Sequence, residues 1–290
     1  MSSDIVSTLK MLLDTEENPH IRALSGGDIN HVYHCIFPAR EYLLKVNTNH
    51  YPHMFIEEAK GLSALEQTYK LPIPHVIKHY ESETRQYLLM EYVPTGRKSS
   101  TFSSTFGRLL AESHQEGNFQ DWGFDSNNYI GSTPQINNVE VSWPQFFAIH
   151  RLQYQRDLAI SHNKLPPSVD HKLLRVIIHI NNYLFEPEQK SLLHGDLWGG
   201  NYLVNTEGLA VLIDPAVYVG HYEADIAMTE LFGGFDTEFY KAYKDVLPLD
   251  KDYYRIRRPV YQLYHMLNHL NIFGGSYLSS CDGLLTQILA

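Results

Sequence analysis

Residues 192–204 read Leu192-Leu193-His194-Gly195-Asp196-Leu197-Trp198-Gly199-Gly200-Asn201-Tyr202-Leu203-Val204. An apolar pair enters a loop bearing a histidine, an aspartate and an asparagine at H-x-D-x-x-x-x-N spacing, and an apolar pair leaves it. Gly199-Gly200 lets that loop turn tightly. The turn Asn205-Thr206-Glu207-Gly208 follows, then the apolar run Leu209-Ala210-Val211-Leu212-Ile213, which ends on Asp214-Pro215. The pattern predicts a β-hairpin that brings Asp196, Asn201 and Asp214 to one place. Singly, each residue has a bland reading: a capped strand end for HxD, a turn former for Asp before Pro, a turn residue for Asn after Gly-Gly. Their order, their spacing and the apolar strand between them outweigh it.

The spacing is that of a kinase catalytic loop. A carboxylate must sit beside the attacking hydroxyl and accept its proton, which is the role expected of Asp196. A neutral amide a few residues on must reach a metal without adding charge, and an aspartate at the end of the second strand supplies the anionic ligand. Asn201 and Asp214 are the expected Mg²⁺ ligands, and ATP with Mg²⁺ the expected cofactors.

Upstream, the chain supplies the groups such a loop needs as partners. Val32 to Phe37 and Tyr42 to Val46 read as a hairpin around Pro38-Ala39-Arg40, and Met54 to Tyr69 as a helix that stops before Pro72. Lys45 lies in the apolar strand Leu43-Leu44-Lys45-Val46, where a kinase lysine reaches the α- and β-phosphates. Glu58 on the following helix is its expected partner, because the adjacent Glu57 points about 100° away. The Ser25-Gly26-Gly27-Asp28 turn is placed to cover the phosphates through Gly26 and Gly27, although it lacks GxGxxG. Met90-Glu91-Tyr92-Val93 ends the last strand before the linker Pro94-Thr95-Gly96, where backbone groups would meet an adenine edge.

The expected fold class is α+β. It is a bilobal protein-kinase-like fold, with a small N-terminal lobe of β-sheet plus helix over residues 1–94 and a larger, mainly helical C-terminal lobe over 95–290. Ile5 to Leu13 reads as a short amphipathic helix. Helices are expected over Thr105 to Gln115, Trp143 to Ser161 and Ser168 to Phe185, and again from Ala224.

Composition sets bounds on this reading. With 290 residues, 43% hydrophobic and 19% charged, the chain is an ordinary globular protein. Its net charge of −10 argues against nucleic-acid partners and suits a nucleotide screened by Mg²⁺. Cys35 and Cys281 form no disulfide framework or zinc spacing. Neither a signal peptide nor a membrane span is legible, so the expected location is cytoplasmic, with no membrane partner. Nothing in the letters sets an oligomeric state.

At these residues the chain resembles the fructosamine (ketosamine) kinase family, relatives of aminoglycoside and choline kinases. His194-Gly195-Asp196-Leu197-Trp198-Gly199-Gly200-Asn201 looks like that family's HGDLWxGN. Ile213-Asp214-Pro215-Ala216-Val217-Tyr218-x-Gly220-x-x-Glu223-x-Asp225-Ile226-Ala227-Met228 looks like its IDPAxYxGxxExDLAM. Tyr261 to Leu270 and Phe273-Gly274-Gly275 match as well. The resemblance implies transfer of the ATP γ-phosphate to a sugar hydroxyl of a fructosamine, ribulosamine or erythrulosamine, carried as a small molecule or on a glycated protein side chain. Such phosphorylation destabilises the adduct, which implies a role in protein deglycation.

By the same resemblance Asp225 braces the catalytic loop together with His194, while Trp198, Tyr218, His265 and Asn268 are candidate substrate contacts. For Trp198 the competing reading is a core aromatic. His265 and His269 lie four apart on one predicted helix, which suits packing or substrate contact better than metal. Some family members carry a cysteine in the glycine-rich loop that permits redox-sensitive dimerisation; here Asp28 stands there, so that regulation is not carried over. The rival readings are an aminoglycoside- or choline-type kinase, a non-catalytic nucleotide-binding pseudokinase, and a metal-dependent hydrolase built on HxD.

Overall fold

The computed structural model describes residues 2–24 and 30–290. The small lobe is built on five antiparallel strands, β1 (His20–Leu24), β2 (His31–Ile36), β3 (Glu41–Thr48), β4 (Val76–Glu81) and β5 (Arg85–Glu91), in the order β1-β2-β3-β5-β4. Period-two alternation divides the sheet into two faces. Leu44, Val46, Tyr87 and Leu89 meet Ile5, Leu9 and Leu12 of helix α1 (Ser2–Leu13). Leu88 and Met90 face the other way, against Met54, Phe55, Ala59 and Leu62 of helix α2 (Met54–Thr68). The strand β3 register sets Lys45 opposite Leu88, so the lysine projects from the α2 side of the sheet.

The linker is strapped down rather than loose. Gly96 N donates to Val204 O at 2.8 Å, and a Cβ on Gly96 would stand 2.4 Å from Asn205 O. Only glycine lets the chain pass that close.

Beyond it come helix α3 (Phe102–Gln115) and the short hairpin β6 (Asn128–Ile130) and β7 (Thr133–Gln135). Helices α4 (Trp143–Phe146) and α5 (Tyr154–Ser161) follow, then α6 (Pro167–Ile178). The insert Leu192 to Asp214 contains β8 (Ser191–Leu193), β9 (Tyr202–Val204) and β10 (Ala210–Leu212); β8 pairs with β11 (Tyr218–Gly220). Helices α7 (Glu223–Thr229), α8 (Thr237–Val246), α9 (Arg258–Phe273) and α10 (Leu278–Leu289) complete the lobe around a core rich in Trp122, Trp143, Phe146, Phe147 and Tyr261.

Three local readings need correction. The predicted helix Trp143 to Ser161 changes hydrogen-bond period over Phe147–Gln153, where it widens into π-turns that carry the buried Arg151. Strand β1 escaped notice because its HIRAL pattern, on the sheet edge, is largely exposed and lacks a buried alternation. The β6–β7 hairpin escaped because three-residue strands leave no period to read. Among the described residues no helix is long and apolar enough to cross a membrane.

Candidate active site

Strands β9 and β10 pair in register, Tyr202 with Leu212, and the loop before β9 folds back on them. Asn201 is fixed at both ends: its N–H donates to Trp198 O at 3.0 Å and its carbonyl accepts from Ile213 N at 3.1 Å. Its side-chain Nδ2 donates to the Asp196 carbonyl oxygen at 2.8 Å and to Asp196 Oδ2 at 3.0 Å. That leaves Oδ1 as its remaining acceptor.

Asp196 is half-buried on the floor between the lobes. Burial pushes its carboxyl up to about 7, against the pull of the Asn201 hydrogen bond and with a further push from Asp214 and Asp225. A carboxyl poised near neutrality suits a general base.

The loop before Asp196 hangs from one buried carboxylate. Asp225 Oδ2 accepts from His194 N at 2.7 Å and Oδ1 from Gly195 N at 2.8 Å, while His114 Nε2 stands 3.3 Å from Oδ2. Although burial alone would raise it, the hydrogen bonds and the His114 ring hold the Asp225 carboxyl below its ordinary range. His194 Nε2 lies 2.9 Å from Ile213 O, a group that only accepts, so that nitrogen carries the proton. Nδ1 then accepts the Asp196 N–H at 3.3 Å. Burial holds the ring's pKa down, as this neutral form requires. Gly195 sits at φ +82°, and a Cβ there would fall 1.9 Å from Ala216 O.

The two lobes meet at Lys45. Its Nζ donates to Glu58 Oε1 and to Asp214 Oδ1. Burial would lower the lysine, but the two carboxylates outweigh it and hold the pKa above its ordinary value. Glu58 is pushed up by burial against the pull of Lys45. Glu57 turns elsewhere, to Lys60 at 2.7 Å and to the Ser126 hydroxyl. Asp214 adopts φ 55°, in the left-handed region, and half of its side chain is exposed toward the cleft. The donors on offer, one amide oxygen and one carboxylate, are hard oxygens and fit Mg²⁺. No cluster of three or more His, Cys, Asp or Glu able to hold a metal occurs among the described residues. Such a pair suits an ion that draws its other ligands from phosphate and water.

The remaining candidates separate by burial. Trp198 is 39% exposed, so it is not a core aromatic; its indole lies across Gly200 and meets Phe232 edge-on at 6.1 Å. Tyr218 and Asn268 are 1% and 2% exposed. The Tyr218 ring carries the Arg151 guanidinium at 4.0 Å, and Asn268 joins Gln155 and Ile130 O. Both are therefore packed inside the large lobe, Tyr218 beside Gly195 of the loop. His265 is also buried, yet its Nδ1 lacks a partner among the described residues, and burial drives its pKa down to about 3. Met90 and Glu91 are the last two residues of β5, and Tyr92 stacks on His34 at 3.6 Å just beyond them, on the approach to Val93. Gly26 and Gly27, with Asp28, lie outside the described residues.

The sequence reading missed three supports. His114 backs Asp225 from helix α3, eighty residues before the loop, and no local signal marks it. Phe232 holds the Trp198 ring, and Gly199 packs backbone to backbone on Gly233 and Gly234. The Gly233-Gly234 pair was the available sign of that close approach.

The fructosamine kinase model matches residues 1–290. A Vibrio parahaemolyticus protein named "Probable ketoamine kinase" is 38% identical over 268 residues, covering 92% of this chain and 91% of its own. The chloroplastic protein-ribulosamine 3-kinase of Arabidopsis thaliana is 37% identical, covering 93% of this chain and 82% of its own. The crystal structure of a candidate fructosamine-3-kinase from Haemophilus somnus aligns with TM-score 0.88 at 26% identity, over 99% of this chain and 97% of that one. An aminoglycoside phosphotransferase shares the fold alone, with TM-score 0.63 at 15% identity over 99% of each chain. The chain belongs to the fructosamine kinase family.

Proposed function

We propose that the protein is an ATP-dependent kinase that phosphorylates a sugar hydroxyl of ketosamines, small or protein-bound, and so takes part in deglycation. The observation that carries this reading is the meeting of Lys45 and Glu58 of the small lobe with Asp214, which stands beside the Asp196–Asn201 pair on the large lobe. Transfer of the ATP γ-phosphate needs these groups in this arrangement, and the ketosamine acceptor is supported by the names of the relatives, a "Probable ketoamine kinase" and a protein-ribulosamine 3-kinase.

Lys45, held by Glu58, binds and orients the α- and β-phosphates. Asn201 Oδ1 and the Asp214 carboxylate would hold Mg²⁺, which when bound neutralises charge on the phosphates. Asp196 accepts the proton of the sugar hydroxyl as that oxygen attacks the γ-phosphorus in line. Met90 to Val93 are the stretch proposed to offer backbone groups to the adenine edge. The exposed Trp198 indole forms a wall for the sugar-amine, and His265, buried with its Nδ1 unpartnered among the described residues, is a further candidate contact. Tyr218 and Asn268 act by packing inside the large lobe.

The test is ATP consumption with ribulose-, erythrulose- and fructose-amine adducts, with an aminoglycoside and choline as controls. Turnover confined to the ketosamines is the expected result. Turnover of the aminoglycoside or choline alone, or Mg-ATP binding with no turnover of any acceptor, sinks the reading.

A further inference from the structure

The β6–β7 hairpin belongs to the large lobe, yet it leans on helix α2, which carries Glu58. On that side the Ser126 hydroxyl donates to Glu57 Oε2, and Tyr129 OH donates to Pro52 O at 2.9 Å. The Tyr129 ring stands edge-on to Tyr51 and packs against the apolar residues of α2. On the opposite side, Asn128 Nδ2 donates to Val217 O at 2.7 Å and Gln135 Nε2 to Ala216 O at 3.0 Å. Those carbonyls follow directly on Asp214-Pro215. The Ala216 carbonyl is also the group that crowds Gly195, and Ala216 N donates to His194 O at 2.8 Å.

The hairpin is itself tied together from within. Asn128 Oδ1 accepts from Gln135 Nε2 at 2.8 Å and from Asn137 Nδ2 at 3.0 Å, and Tyr264 OH donates to Gln135 Oε1 at 2.7 Å. Arg151 Nη2 donates to Asn137 Oδ1 at 2.8 Å, and its Nη1 to Ile136 O at 2.6 Å. Asn128, Gln135, Asn137 and Arg151 are all at most 5% exposed. Apolar residues would fill this space at lower desolvation cost, whereas a polar network fixes one geometry; here it is satisfied except at Arg151 Nε, which has no partner among the described residues.

We infer that the β6–β7 hairpin is a strut that couples the small lobe to the loop bearing Asp214, and that Ser126, Tyr129, Asn128 and Gln135 are positioning residues for the Glu58–Lys45–Asp214 arrangement. The inference rests on the kinase reading above. It gives Glu57 a task distinct from that of its neighbour: Glu58 faces the lysine, and Glu57 ties the same helical turn to the other lobe. The ligand-binding arrangement is thereby held in place by contacts that need neither ligand nor modification.

The test uses the full chain with Ser126→Ala, Tyr129→Phe and their combination, each of which removes only a half-buried hydroxyl at the outer end of the hairpin. Mg-ATP affinity is measured by calorimetry without acceptor, then kcat and KM for the ketosamine, the pH–rate profile and Tm. The combined variant should bind Mg-ATP about three- to tenfold more weakly and lose a similar factor in kcat. KM for the ketosamine and the acid limb of the pH profile should stay in place, with Tm within about 2 °C of wild type. Ser126→Thr, which restores the hydroxyl, should restore the affinity. Unchanged Mg-ATP affinity and kcat, or losses that follow Tm downward and are not rescued by threonine, overturn the strut. Because Mg-ATP affinity is read without acceptor, a wild type that phosphorylates no ketosamine defeats the functional reading and leaves this measurement to decide the strut.

Discussion

Asn201 turns its side-chain amide toward Asp196, with Nδ2 3.0 Å from Oδ2 and 2.8 Å from the backbone carbonyl of the same residue. One amide group thus steadies the proposed base while its oxygen remains for the metal. Asp196→Asn keeps the shape and removes the proton acceptor, so kcat should fall about 10²–10⁴-fold. Mg-ATP affinity should stay within about twofold. A base must be ionised to work, and the Asp196 carboxyl is pushed up to about 7. Wild-type kcat/KM should therefore decline as pH falls below about 7 and level off above it. A steady-state profile with the ketosamine checks both points, and near-wild-type turnover by Asp196→Asn removes the assignment.

Lys45 is the only cation in contact with both Glu58 and Asp214 among the described residues. Lys45→Met leaves Glu58 buried without its partner, a change that costs about 3–5 kcal/mol for a buried pair. Glu58→Gln should cost less, because burial already favours the neutral form of that side chain and the amide can still accept from the lysine. For catalysis the order should be the same. Lys45→Met should lower kcat/KM for ATP by at least about 10²-fold, and Glu58→Gln by about tenfold. Urea unfolding and initial rates at varied ATP measure the two effects, and equal losses in both variants would contradict the order.

Much of this was legible in the letters because the groups sit on local, strongly patterned segments. Asp196, Asn201 and Asp214 lie within nineteen residues on and around one hairpin, where short apolar runs bounded by Gly-rich turns fix geometry over short range. Lys45 and Glu58 are thirteen apart, on a strand and the helix that follows it. What stayed hidden was long-range. His114 reaches Asp225 across 111 residues, and Tyr264 reaches Gln135 across 129. Such pairs leave no spacing to count. The burial of Tyr218 and Asn268 was not legible either, because a buried polar residue and a cleft residue are written with the same letters.

Gly195 cannot carry a side chain where it stands. It has φ +82°, and an added Cβ would meet the Ala216 carbonyl oxygen at 1.9 Å, an atom fixed by its own bond from Gln135. Neither the glycine nor that carbonyl can yield without moving Asp196. Gly195→Ala should lose at least about 4 kcal/mol of stability, among the larger effects of a single substitution. Whatever folded protein remains should have no measurable turnover. Gly283 is the control, with nothing within 4 Å of an added Cβ. Gly283→Ala, in helix α10, should leave stability unchanged or raise it by up to about 1 kcal/mol. Thermal melts of the two variants side by side test the claim.

Acid should destabilise the large lobe through His221. Its Nδ1 accepts from Tyr261 OH, 2.8 Å away, since that hydroxyl already receives the Trp143 indole N–H. Burial, aided by the Arg257 guanidinium, drives the ring's pKa from 6.5 down to about 3. The folded ring therefore stays neutral where the unfolded chain takes up a proton. The stability it contributes is whole above about pH 6.5 and is lost as pH falls from there toward 3. About 2 kcal/mol should be gone by pH 5 from this group alone. His221→Gln keeps an acceptor for the Tyr261 hydroxyl and abolishes the titration. Glu223, Asp250 and the always-charged Arg257 surround the same site in both proteins, so the difference between the two isolates the histidine. Denaturant unfolding between about pH 5 and 8 should show the wild-type curve bending down below pH 6.5 relative to His221→Gln. Parallel curves would assign the acid sensitivity to the carboxylates instead.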